Sequence, residues 1–178
     1  MKKLYVGFSK PKTMKFPLVS WIIMWIEKTD YSHTYFRWID TDNNVDLILE
    51  AYGTSVHIVT YENFLKKANI VKEFEIKTNT NNWQLAVNFA INLTGYSYGW
   101  GQLFGLAWVK LAKLFDRTIK NPLGDGVTEQ ICTETVGMVM ATLGYTFEKD
   151  FDVLGLKDIY RTLEKGCPKA KFYDIFKW

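Results

Sequence analysis

Gln130 to Met140, QICTETVGMVM, is the stretch from which the rest of the chain is read. Val136, Val139, Met140 and Leu143 recur at helical spacing, which predicts a buried helix with Cys132 in its first turn, at the inner edge of the core-facing stripe. Unpaired N–H groups and the helix dipole at such an N-terminus favour the thiolate, and the thiolate is the reactive form of cysteine. A free cysteine is equally at home as a small buried hydrophobe, so a nucleophile reading needs a base as well as a position.

The chain has two histidines, His33 and His57. His33 lies in DYSHTYFRW (residues 30–38), an aromatic and β-branched run that reads as a strand entered through a turn. His57 lies in SVHIV (55–59), where alternation sets it opposite Val56 and Ile58, on a face expected to be solvated. His33 is the better base. After the turn cluster Thr41 to Asn44, residues Val45 to Tyr52 read as the partner strand, and alternation places Asp46, Ile48 and Glu50 on one face and Leu47, Leu49 and Ala51 on the other. Glu50 beside an isoleucine is expected to be partly desolvated; taken alone, it reads equally as an exposed strand carboxylate.

These pieces together carry a resemblance. Ser32-His33 at a strand start, LEAYG at 49–53 and CTETV at 132–136, in that order, resemble the circularly permuted NlpC/P60 thiol hydrolases, a papain-like group whose histidine precedes its cysteine. The resemblance covers roughly residues 30 to 145 and departs from the group's usual pattern at Thr34, Thr133 and Thr135, where an aliphatic residue, a serine and a leucine are usual. It implies Cys132 as nucleophile, His33 as base and Glu50 as the residue that orients the imidazole, with Asp46 on the same face as a fallback orienter. Tyr96 and Tyr98 loosely match a tyrosine-rich segment ahead of the nucleophile; with Trp100 they are the expected substrate-binding residues, although core and rim packing also suits such aromatics.

Outward from these motifs, KLYVGF (3–8) reads as a first strand. FPLVSWIIMWI (16–26) is too short to span a bilayer, which takes about 20 residues, and lacks a small-residue cleavage site; it reads as a buried helix, with membrane-surface contact as the lesser alternative. Val56 to Thr60 and Ile70 to Thr78 read as strands, Tyr61 to Ala68 and Trp83 to Leu93 as helices, the latter capped from TNTNN (78–82). Gln102 to Phe115 reads as an apolar helix, and Asp116 to Glu129 as a loop suited to a lid or a wall beside the nucleophile. Leu156 to Glu164 reads as a last helix before Cys167 and an aromatic tail.

A length of 178 residues suits one domain, residues 1–178, able to bury about two-thirds of its unfolded surface. Hydrophobic content of 48% and charged content of 23% are ordinary, while 16% aromatic residues point to a large core or an apolar groove. A net charge of +3 spread along the chain argues against nucleic acid as a partner. With no CxxC or HxxxH spacing and no glycine-rich phosphate motif, neither a metal nor a cofactor is expected. No secretion signal is evident, so a reduced, cytoplasmic setting is expected; in an oxidising one a Cys132–Cys167 disulfide is conceivable.

The expectation is therefore an α+β domain, a small antiparallel sheet or barrel packed against helices, in which Cys132, His33 and Glu50 converge. The activity implied is hydrolysis of a peptide amide or an ester through an acyl-enzyme. Two rivals stand beside it: an acyltransferase acting on lipid-like acyl groups, and a catalytically silent binding protein of the kind a bacteriophage would use to block a host factor.

Overall fold

In the computed structural model the described residues are 1–12, 17–101, 105, 108 and 129–166. The turn cluster folds as its residues suggest: Asn44 takes the left-handed region at φ 54°, and the Asp40 carboxylate accepts hydrogen bonds from the Asp42 N–H (3.1 Å) and the Asn43 amide (2.8 Å). That turn joins β2 (His33–Asp40) to β3 (Val45–Tyr52), whose register pairs Phe36 with Leu49 and Trp38 with Leu47. A second, two-residue connection through Gly53, at φ 72°, leads into β4 (Ser55–Thr60) and pairs Tyr52 with Ser55 and Glu50 with His57.

With β1 (Lys2–Pro11), β5 (Ala68–Ile76), β6 (Ser97–Tyr98) and β7 (Glu129–Gln130), these strands make a seven-stranded sheet of order β5-β1-β2-β3-β4-β6-β7. Each adjacent pair is antiparallel except β6 with β7. The fold is thus α+β with an open, mostly antiparallel sheet; of the two architectures expected, the sheet is present, and among the described residues it does not close into a barrel. The α-helices described from end to end are α1 (Pro17–Glu27), α2 (Tyr61–Lys67), α3 (Thr80–Asn92), α4 (Cys132–Thr142) and α5 (Leu156–Lys165).

Alternation gives the sheet two unlike faces. Leu4, Val6 and Phe8 of β1 line up with Phe36, Trp38, Leu49 and Val56 in the main core, where α3 contributes Trp83 and Val87 and α4 contributes Val136, Val139 and Met140, all buried. Each such side chain removed from water contributes about 1.5–3 kcal/mol. The other face holds a smaller cluster of Tyr35, Ile48, Phe64 and Ala68, covered by α2. There Arg37 grips Asp46 with two bonds of 2.8 Å, reaches Glu73 at 3.2 Å, and stacks on Tyr61 at 3.3 Å. Asp46 is therefore committed to Arg37 rather than free as a fallback orienter. Tyr35 crosses directly over Gly7, where a Cβ would stand 2.1 Å from the ring, so glycine is what lets β1 and this ring coexist.

Helix α1 departs from expectation. Trp21 and Trp25, one helical turn apart, are 58% and 59% exposed, and among its described side chains only Glu27 is buried. An apolar run reads as buried only if a partner covers each side of it, and here Ile23 meets the core while the tryptophan side faces out. Among the described residues no helix is long and apolar enough to cross a membrane. The expected Gln102–Phe115 helix, the Asp116–Glu129 loop and the tail from Cys167 lie outside the described residues, apart from Gly105, Trp108 and Glu129.

Candidate active site

Three elements bring the expected residues together. His33 is the first residue of β2, anchored by the Ser32 N–H to the Ser9 carbonyl (3.1 Å) and the Thr34 hydroxyl to the Gly7 carbonyl (3.0 Å). Glu50 lies on the neighbouring strand, on the same face; the register that pairs Phe36 with Leu49 sets it diagonal to His33, within reach of long side chains. Cys132 opens α4 immediately after β7, whose Gln130 carbonyl accepts the Gly99 N–H at 3.0 Å. The Thr135 hydroxyl binds both the Gln130 amide oxygen and the Ile131 carbonyl at 3.1 Å, fixing the entry to the helix.

His33 Nε2 stands 3.1 Å from Glu50 Oε2, and Cys132 lines the same cleft, near enough to the imidazole to act on its protonation. With Nε2 engaged by the carboxylate, Nδ1 is the ring nitrogen left for the thiol. Strand alternation places His33 with Tyr35 and Arg37 on the α2 side, while the body of α4 covers the opposite face. The thiol reaches the imidazole because each sits at the end of its element: Cys132 begins the helix and His33 begins the strand.

The electrostatics follow from the same contacts. Burial opposes a charge on His33, yet hydrogen bonds and charge from Cys132 and Glu50 outweigh it and push the imidazole up to about 10. Burial likewise opposes ionisation of Glu50, only 4% exposed, but hydrogen bonds from His33 and His57 outweigh it and hold the carboxyl down to about 2. The arrangement thus supports an imidazolium between the Glu50 carboxylate and the Cys132 side chain.

A cleft opens over these groups, its lining including the aromatic Tyr52, Tyr98 and Trp100 and the apolar Ile23, Phe64 and Ala68. Trp100 is held by a 2.9 Å bond from its indole N–H to the Gly53 carbonyl and lies against Tyr98 at 4.9 Å. Burial, and then the proximity of Cys132 and Tyr52, raises the Tyr98 phenol. Tyr98 and Trp100 therefore line the cleft as expected of substrate-binding residues, whereas Tyr96, ahead of β6, is 38% exposed and does not line it. The positive φ of Gly95, 95°, turns the chain just before Tyr96, so the period of the following strand does not govern its direction.

Two site residues were missed from the sequence. Tyr52, two positions after Glu50 on the same strand face, meets the His33 ring edge-on at 6.1 Å. His57, expected on a solvated face, instead reaches Glu50 Oε1 from Nε2 at 3.3 Å, with its side chain 30% exposed. Alternation correctly separates it from Val56 and Ile58, but its face is the one that α2 covers and Glu50 shares. A signal was present: a two-residue connection at Gly53 and Thr54 makes residue 50 the partner of residue 57.

Cys132 is a free thiol. Among the described residues no group of three or more His, Cys, Asp or Glu side chains is arranged to hold a metal ion. No family model matches the chain, and no curated protein matches it.

Proposed function

We propose that this chain is a cysteine-dependent hydrolase of the circularly permuted NlpC/P60, papain-like kind, cleaving an amide or ester bond through a Cys132 acyl-enzyme. One observation carries the reading: a thiol at a helix N-terminus, an imidazole and the buried carboxylate bonded to that imidazole all line one cleft. Glu50 and Cys132 lie 17 and 99 positions from His33 (50 − 33 and 132 − 33), so the three have no local reason to meet.

In the first step the Cys132 sulfur attacks the carbonyl carbon, forming a C–S bond and an oxyanion that the Cys132 backbone N–H at the helix start helps to hold. His33, already protonated, gives its proton to the leaving nitrogen or oxygen as the C–N or C–O bond breaks, leaving a thioester. In the second step His33 takes a proton from water as the hydroxide equivalent attacks the thioester, and the C–S bond breaks to release a carboxylic acid, which ionises in water, and to restore the thiolate beside the His33 imidazolium. Glu50 holds the imidazole in one orientation and stabilises its charge throughout, without itself gaining a proton.

The apolar lining residues Ile23, Phe64 and Ala68 favour a substrate that brings an acyl chain or an apolar side chain to the thiol. That lining also keeps acyl transfer open as a second reading, in which an alcohol or amine replaces water in the second step. Incubation of wild type and Cys132→Ala with a panel of peptide amides and acyl esters, with and without an added acceptor alcohol, tests both. Hydrolysis by wild type alone supports the proposal, and a product that follows the acceptor supports transfer. No turnover, together with a Cys132 that labels no faster than an unfolded thiol, returns the chain to the binding-protein class.

A further inference from the structure

His57 has two ring nitrogens and two neighbours, and both neighbours only accept. Nδ1 lies 3.1 Å from the Ser55 carbonyl oxygen, and Nε2 lies 3.3 Å from Glu50 Oε1. A neutral imidazole has one N–H and one lone pair, so it can satisfy one of these contacts and must aim a lone pair at the other. Only the imidazolium donates to both. The carboxylate is divided in the same way, with Oε2 facing His33 and Oε1 facing His57, so that its two oxygens are held from two strands at once.

We infer that His57, as an imidazolium, is a positioning residue that clamps the Glu50 carboxylate in the orientation His33 requires. This inference deepens the hydrolase reading and rests on it for its meaning, but its structural part stands on the Ser55–His57–Glu50–His33 chain of contacts. A carboxylate on a strand has free rotation about its terminal torsion. Bound at one oxygen only, it samples orientations in which His33 Nε2 loses its partner, and the second imidazole removes that freedom.

The clamp also has a defined range of pH. Glu50 on β3 raises His57 above its ordinary value against burial, and Lys67, at the end of α2, opposes it; His33 lies beyond the carboxylate and carries charge of the same sign. Both contacts are made below the pH at which His57 loses its proton; above it the single remaining N–H serves either Ser55 or Glu50, and the two-sided hold is lost.

With just two histidines in the chain, ring nitrogen NMR reads the clamp directly. In wild type at pH 7, His57 is expected to show both ring N–H groups, with a titration midpoint above 6.5 that falls back toward 6.5 in Glu50→Gln. In parallel, His57→Phe is expected to slow iodoacetamide labelling of Cys132 at pH 7 about tenfold, while His57→Gln, which keeps a neutral donor to the carboxylate, stays within about threefold of wild type. The sign is decisive: merely deleting a nearby positive charge would favour the His33 imidazolium and leave labelling equal or faster. A single ring N–H on His57 at pH 7, or His57→Phe labelling as fast as wild type, overturns the inference. If wild-type Cys132 itself shows no enhanced labelling, the hydrolase reading fails instead, and the ring N–H count still decides the clamp.

Discussion

Glu50 Oε2 lies 3.1 Å from His33 Nε2 while Oε1 of the same carboxylate lies 3.3 Å from His57 Nε2, so one buried anion serves two imidazoles on two different strands. Its energetics can be measured through stability without any substrate. The folded carboxyl is held at about 2 against an ordinary 4.5, so it contributes stability that is fully present above pH 4.5 and is lost as pH falls through about 2. The shift corresponds to about 3 kcal/mol. Denaturant midpoints measured from pH 6 to pH 2 should therefore fall more steeply in wild type than in Glu50→Gln, and parallel curves would contradict the buried, doubly bound carboxylate.

Replacement of Glu50 also separates orientation from chemistry. Glu50→Gln should lower turnover or Cys132 labelling by about ten- to a hundredfold, whereas Cys132→Ala should abolish both, because an orienting group stabilises a step that the nucleophile performs. Equal losses in the two variants, with the fold intact by circular dichroism, would place Glu50 in direct contact with the reacting atoms rather than behind His33.

The hairpins were the most legible part of the fold. The bounds of β3, Val45–Tyr52, follow from a turn cluster on one side and Gly53 on the other, and the shared face of His33 and Glu50 follows from the period of two. What alternation leaves open is what covers a face. Nothing local to SVHIV says that Phe64 and the rest of α2 fold over the face His57 shares, and nothing local to SWIIMWI says that Trp21 and Trp25 stay largely exposed. The β6 and β7 pair, two residues each and parallel, is too short to leave a pattern, yet it delivers Cys132 to the sheet end where His33 begins.

Gly7 should tolerate no side chain while Tyr35 is present. A Cβ there would stand 2.1 Å from Tyr35 Cζ, so Gly7→Ala should cost about 3 kcal/mol in urea denaturation. Tyr35→Phe keeps Cζ and should not rescue it, whereas Tyr35→Val should recover part of the loss. Rescue by phenylalanine would mean that the hydroxyl bonded to Glu73, and not the ring, sets the spacing.

Arg37 marks the sheet face that is structural rather than chemical. Arg37→Met leaves Asp46 and Glu73 without their shared cation and should destabilise the fold by about 2 kcal/mol, the half-exposed Asp46 keeping the cost below that of a fully buried pair. The ratio of Cys132 labelling to that of an unfolded thiol should stay within about twofold of wild type. A large loss of labelling in a folded Arg37→Met protein would show that the two ends of β2 are coupled.

The central claim is that His33 activates Cys132 as a nucleophile, and thiol labelling with peptide mapping at pH 7 tests it most directly. The native protein, treated briefly with iodoacetamide, should label Cys132 at least about tenfold faster than Cys167, and His33→Ala should remove that advantage. Equal labelling of the two cysteines in the native protein, or an advantage at Cys132 that survives His33→Ala, would contradict it.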